Sequence, residues 1–279
     1  MRRRELLQHL TSLAEPIYGV QEATQIARMI LEEVGGVSRT QLIVDPEAEC
    51  EIKNLEQIET DLSSGRPIQY IIGEADFCGL RIKVCEGVLI PRPESEELIA
   101  WIVSKARGDE RILDICTGSG ALAFALGFAL KNSDITAVDI SKEALQIAKE
   151  SGEELASQVK FVEGDALAGV EGVVSGEFDI IVSNPPYIPQ CEQCEMRINV
   201  VNFEPHIALF VPDDDPLLFY REIAKSAKKI LSEGGKIYYE IHENFAQQTA
   251  QMLKCEGFKE VTIRKDINEK ARMICAKRG

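Results

Sequence analysis

Apolar residues in the first 66 positions recur at the spacing of a helix. Leu6, Leu7, Leu10 and Leu13 share one stripe, Ile26, Met29, Ile30 and Val34 share another, and Gly35-Gly36 supplies a stop. An acid-rich segment from about Pro46 to Leu62 follows and ends in Ser63-Ser64-Gly65-Arg66-Pro67. Residues 1–66 therefore predict a small helical domain, either a packing module or a docking face for a protein partner. The pattern changes at residue 67. Ile68-Gln69-Tyr70-Ile71-Ile72 and Leu80-Arg81-Ile82-Lys83-Val84 are β-rich runs separated by Gly73 and Gly79, which predicts a β-hairpin connector over 67–90. Pro91-Arg92-Pro93-Glu94-Ser95-Glu96 then opens a helix to about Ala106, with Pro93 suited to its first turn.

From residue 111 short apolar strands alternate with amphipathic helices. Arg111–Asp114, Ile135–Asp139, Val159–Val162, Phe178–Val182 and Lys236–Glu240 read as strands. Ala121–Leu130, Ser141–Ser151 and Pro216–Leu231 read as helices. Repeated strand-helix units imply parallel strands with right-handed crossovers, so residues 91–279 predict an α/β, doubly wound, Rossmann-like sheet. Glu260–Ile263 and Ala271–Cys275 have no helix between them, which predicts a terminal antiparallel hairpin.

Composition narrows the partners. The 279 residues suffice for two ordinary domains, and a hydrophobic fraction of 45% is that of a globular chain. The net charge of −15 disfavours a protein that grips nucleic acid through its phosphates, which Lys and Arg must neutralise. No run of about 18 apolar residues occurs, so no membrane span is expected. The basic start, Met1-Arg2-Arg3-Arg4, lacks the apolar run of a signal peptide, and the eight cysteines read as free thiols in the cytoplasm. Cys191-Glu-Gln-Cys194 has no second pair at zinc-ribbon spacing, so no metal is expected. Asp213-Asp214-Asp215-Pro216 reads as an ordinary helix cap rather than a metal site. Glu240 and His242 end a strand at the functional edge, where they either line the substrate mouth or are solvated; they read as solvated polar residues, and Trp101 as core.

Two stretches carry chemistry. Asp114-Ile-Cys-Thr-Gly118-Ser-Gly120-Ala-Leu-Ala123 ends the first strand in a glycine turn, where backbone can approach a ligand at a helix N-terminus. Asp139, ending the second strand, is placed to accept from ribose hydroxyls. This combination suits NAD and S-adenosylmethionine equally. The fourth strand ends in Asn184-Pro185-Pro186-Tyr187, at the sheet edge where such folds bind ligands. The prolines remove two N–H donors and leave carbonyls to accept, Asn184 adds polar groups, and Tyr187 adds a flat face. That set suits a planar NH2 group.

Asn-Pro-Pro-Tyr resembles the motif of amino-methyltransferases that use S-adenosylmethionine. Nearly the whole chain resembles the release factor glutamine methyltransferases: Gln69–Glu74, Phe77-Cys78-Gly79, Val88–Glu94, the glycine loop, Asn184–Tyr187 and Phe203-Glu204-Pro205 carry the likeness. The resemblance implies that Cys116, Thr117, Gly118, Ser119 and Gly120 wrap the methionine and ribose parts of the cofactor. Asp139 would take the ribose hydroxyls, Asp165 and Ala166 would face the adenine, and Asn184 would stand beside the methyl group. Asn184 and the Pro185 carbonyl would accept the two N–H bonds of a substrate glutamine amide, flanked by Phe77, Pro186 and Tyr187. It implies, too, a class I peptide chain release factor as protein substrate, methylated in its Gly-Gly-Gln loop by a monomeric enzyme. Cys116, Cys78, Ala166 and His206 depart from the family's commoner residues. The alternatives are an adenine-amino methyltransferase on DNA or RNA, glutamine methylation of a ribosomal protein, and a non-catalytic adaptor.

Overall fold

A computed structural model describes residues 1–279. Its contacts divide the chain into two compact units, Met1–Glu74 with Arg197–Phe203, and Ala75–Met196 with Glu204–Gly279.

The first unit is helical. Arg3–Glu33 is a run of helix broken at Gly19, whose φ of 73° only glycine adopts freely, and it buries Leu6, Leu10, Ala14, Ile26 and Ile30. Arg39–Val44, not anticipated from the periodicity, starts from a capping box in which Ser38 accepts from the Gln41 N–H and the Gln41 side chain accepts from Ser38. Leu55–Ser64 follows and ends at Gly65. The expected strand at 68–72 is instead the helix Ile68–Ile72, closed by Gly73 with its N–H on the Gln69 carbonyl at 2.7 Å. Five residues, four of them β-branched or aromatic, state only a weak preference. Packing of Ile68, Ile71 and Ile72 on the bundle core overrides it. The segment Arg197–Phe203 joins this unit through a two-pronged pairing of Arg197 with Glu22, at 3.0 and 3.1 Å.

The second unit opens at Ala75, inside β1 (Glu74–Phe77), which pairs with β2 (Leu80–Lys83) across Cys78-Gly79. Both turn residues have positive φ, 50° and 76°, as a two-residue hairpin turn requires. The chain continues through β3 (Arg111–Ile115), β4 (Asp134–Asp139), β5 (Lys160–Glu163), β6 (Phe178–Ser183), β7 (Ile188–Pro189), β8 (Phe210–Val211), β9 (Leu231–Glu240), β10 (Lys259–Lys265) and β11 (Ala271–Lys277). Seven of these form one sheet in the order β10-β11-β9-β6-β3-β4-β5. β9, β6, β3, β4 and β5 are parallel, while β11 runs antiparallel to both of its neighbours, β9 and β10, so the terminal hairpin is as expected. Alternate residues serve opposite faces. Leu113, Ile115, Ile181 and Ile237 pack with the helices Leu218–Ile230 and Ala246–Cys255, while Ile112, Ile180, Val182 and Tyr238 pack with Pro93–Val103 and Ala121–Ala129. Trp101 is core, edge-on to Tyr238 at 5.5 Å.

The acidic cap expected at 213–216 is not formed. The helix starts at Leu218 with no side-chain cap, Asp215 pairs with Arg221, and Asp213 accepts from the Cys191 N–H at 2.8 Å. Asp215 thus bonds a side chain of the helix itself, and Asp213 the backbone of the turn at Cys191. No helix is long and apolar enough to cross a membrane.

Candidate active site

The sheet's carboxyl edge opens into one cavity within the second unit. Its wall includes Cys116, Thr117, Gly118, Ser119, Asp139, Asp165 and Ala166 from the ends of β3, β4 and β5, and Asn184 and Pro186 from the end of β6. Phe77, Ser95, Arg92, Leu122, Ile207 and Phe219 also line it. Gly120, Pro185 and Tyr187, singled out in the sequence, do not reach this wall. Gly120 caps the following helix at φ 80°, and a Cβ there would strike the Phe124 ring at 2.7 Å. Pro185 is buried. Tyr187 sits behind Asn184, its hydroxyl donating to Glu240 at 3.0 Å.

The glycine loop is held by carboxylates. The Gly118 N–H donates to Asp139 Oδ2 at 2.8 Å, and the Ser141 N–H donates to Oδ1 at 2.9 Å. Burial pushes the Asp139 carboxyl up, and those N–H bonds oppose the shift. Beneath the loop, Thr117 donates to Asp114 Oδ2 at 2.6 Å, while Asp114 Oδ1 has no partner. Asp114 is fully buried, and desolvation pushes its pKa up to about 7. Gly118, at φ 55°, faces open space: a Cβ there would meet nothing within 4 Å. Backbone can therefore contact a ligand at this point.

The opposite wall depends on long-range bonds. Glu204, buried, pairs with Arg92 at 2.6 Å and accepts from the Ile90 N–H at 3.2 Å. The Pro91-Arg92-Pro93 lip and Phe203-Glu204-Pro205 are thus one structural device. Glu96 accepts from the Cys78 N–H at 2.9 Å and so fixes the turn that presents Phe77. Glu240 and His242, expected to be solvated, are 2% and 7% exposed. Glu240 takes the hydroxyls of Ser95 and Tyr187. His242 Nδ1 accepts from the Asn244 N–H, which leaves Nε2–H to donate to Glu192 at 3.0 Å. Ser95 carries no role in the sequence reading, and Glu240 only that of a residue at the substrate mouth or in solvent. The available signal was an acid inside the apolar run Ile237-Tyr-Tyr-Glu240-Ile241 at the carboxyl edge of the sheet.

The chain is similar to known proteins over nearly its whole length. Residues 5–73 match the model of the PrmC N-terminal domain, and 95–202 that of the methyltransferase small domain. The crystal structure of a methyltransferase from Pyrococcus furiosus superposes with a TM-score of 0.54 at 22% identity, covering 72% of this chain and 90% of that one, a likeness of fold. A release factor glutamine methyltransferase of Bacteroides thetaiotaomicron is 41% identical over 95% of this chain and 96% of its own. One from Flavobacterium psychrophilum is 39% identical over 98% and 96%. This chain belongs to the release factor glutamine methyltransferases.

Within that family, the four departures noted in the sequence have local explanations. Cys116 has φ 62°, in the left-handed region that favours glycine. Burial, with Asp139 and Asp114 nearby, pushes its thiol well up, so it is a neutral part of the wall. Cys78 occupies a positive-φ turn position and is exposed, so its own side chain is not what presents Phe77. Ala166 is 6% exposed and leaves that side of the cavity with a small side chain. His206 lies edge-on to Phe210 at 5.1 Å, a contact an imidazole makes without needing charge.

Proposed function

We propose that this chain transfers a methyl group from S-adenosylmethionine to the side-chain amide nitrogen of the glutamine in the Gly-Gly-Gln loop of class I release factors, in the cytoplasm where translation runs. The observation that carries this reading is that a single cavity is lined both by the glycine loop with Asp139 and Asp165 and by Asn184 with Phe77. The fit to the cofactor is chemical. Open space over Gly118 admits a ligand to the backbone, Asp139 offers acceptors for a ribose diol, and the Leu167 N–H holds the Asp165 carboxylate at 2.8 Å.

When bound, S-adenosylmethionine supplies an electrophilic methyl group on a sulfonium. What the chain must supply is a nucleophile, because an amide nitrogen shares its lone pair with the carbonyl. In this reading Asn184, which lines the cavity, accepts an N–H bond of the substrate amide through Oδ1, pushes density toward nitrogen and fixes its direction. Phe77 flanks the glutamine side chain, and Tyr187 backs Asn184. Positioning of this kind is worth about 7–11 kcal/mol of a barrier in favourable cases. The same acceptor stabilises the positive charge that grows on nitrogen. The proton leaves after the methyl has moved, so the site needs neither a covalent intermediate nor a dedicated base.

The test is mass spectrometry of a purified class I release factor after incubation with the chain and labelled S-adenosylmethionine, with Asn184→Ala in parallel. One added methyl group on the Gly-Gly-Gln glutamine, absent with the variant, is expected. Label in RNA, DNA or a ribosomal protein, with none in the release factor, would overturn the substrate.

A further inference from the structure

Behind Asn184 the polar bonds of the wall run in one direction. Asn184 Nδ2 lies 3.4 Å from Ser95 Oγ, Ser95 bonds Glu240 Oε2, and the Tyr187 hydroxyl bonds Glu240 Oε1 at 3.0 Å. The three stretches are distant in sequence, yet Ser95 and Asn184 both line the cavity while Glu240 lies behind them, 2% exposed. A buried carboxylate is costly, and nothing in apolar packing calls for one here.

Both hydroxyls donate to Glu240, one to each carboxylate oxygen, and in its ionised form the carboxylate can only accept. With its hydrogen committed, Ser95 Oγ faces Asn184 as an acceptor. The Asn184 atom turned toward it must then be the NH2, and Oδ1 is left for the cavity. The two ends of an Asn side chain have nearly the same shape, so packing cannot choose between them; the hydrogen-bond network does.

We infer that Glu240 is a positioning residue for methyl transfer: it sets the donor-to-acceptor sense of the chain Asn184–Ser95–Glu240 and so turns the Asn184 carbonyl oxygen toward the substrate nitrogen. The inference deepens the proposed function and rests on its reading of Asn184. The second carboxylate oxygen, by holding the Tyr187 hydroxyl, ties the last residue of Asn-Pro-Pro-Tyr to the same anchor. Glu240→Gln keeps the shape but carries one donor and one acceptor. One hydroxyl must then reverse. If Ser95 reverses it donates toward Asn184, the amide turns over, and an NH2 confronts the substrate NH2. Burial pushes the Glu240 carboxyl above the ordinary carboxylate range and Glu94 adds to the rise, against the pull of the Ser95 and Tyr187 hydroxyls and of Arg272.

The experiment measures kcat and KM for release factor, and the Kd of S-adenosylmethionine, in Glu240→Gln, Ser95→Ala, the double variant and Asn184→Ala. Each single change should lower kcat by ~10-fold or more, as loss of an aligned polar group does, with the cofactor Kd held within ~2-fold. The double variant should be no worse than the poorer single one, because residues acting as one unit are not additive. Ser95→Thr, which restores a hydroxyl, should recover activity lost in Ser95→Ala. A Glu240→Gln enzyme with kcat within ~2-fold of the parent, or losses that multiply in the double variant, would overturn the inference. If Glu240→Gln does not fold, the contrast of Ser95→Ala with Ser95→Thr decides: no recovery overturns it. Failure of the Asn184 reading is separate, since then Asn184→Ala itself would still transfer methyl.

Discussion

Around Cys116–Gly120 the cavity wall is fixed by partners close in the chain, with Gly118 and Asp139 only 21 residues apart and joined through adjacent parallel strands. Around Asn184 the wall is fixed by side chains from far away, with Ser95 lying 89 residues from Asn184 and 145 from Glu240. The first arrangement comes with the strand-turn-helix unit and recurs wherever such a sheet binds a nucleotide. The second exists only when the whole sheet is assembled. Cofactor binding is therefore the more local property, and selection of the methyl acceptor the more global one.

That comparison is tested most severely at Asn184. Asn184→Ala should reduce kcat by about 10²–10³-fold, or roughly 3–4 kcal/mol, while the Kd of S-adenosylmethionine changes little. A comparable loss in cofactor affinity would mean that the two ends are not separable. Asp139→Ala supplies the opposite pattern. It removes an acceptor for the ribose and frees the Gly118 and Ser141 N–H groups, so calorimetry should show cofactor affinity weaker by about 1.5–3 kcal/mol. Turnover at saturating cofactor should suffer less.

Glu204→Ala comes next. It leaves the Ile90 N–H without its acceptor and releases Arg92, which at 31% side-chain exposure can reach water. A stability loss of about 1–3 kcal/mol in urea unfolding is expected, with a raised KM for release factor and an unchanged cofactor Kd. An unchanged KM would show that the Pro91–Pro93 lip takes no part in holding the substrate.

The same contrast explains what could be read from the chain alone. Alternating strands and helices, the glycine loop and Asn184–Tyr187 are local patterns, and the parallel order and the terminal hairpin follow from them. Ile68–Ile72 was misread because five residues carry little preference against the pull of a neighbouring core. Glu240 and His242 were misread for a related reason. Polarity predicts exposure only when no partner is available, and their partners, Ser95, Tyr187 and Glu192, come from other elements. Arg39–Val44 was missed although Ser38 and Gln41 spelled its start.

The smallest expected effect concerns Asp114, beneath the glycine loop. Its carboxyl is raised from 3.8 to about 7, chiefly by burial and further by the charge of Asp139, against the favourable Thr117 bond. A raised acid binds its proton more tightly in the folded state than in the unfolded one. Its contribution is therefore fully present below pH 3.8 and is lost as pH rises to about 7. Asp114→Asn keeps an acceptor for Thr117 and has no proton to lose. Between about pH 6 and 7.5 the parent chain should lose about 1 kcal/mol of stability relative to this variant, read from paired urea midpoints. Parallel profiles would mean that Asp114 stays ionised in the fold. The loop would then rest on a buried charge, the very device that otherwise belongs to the Asn184 end, and the distinction between the two ends would narrow.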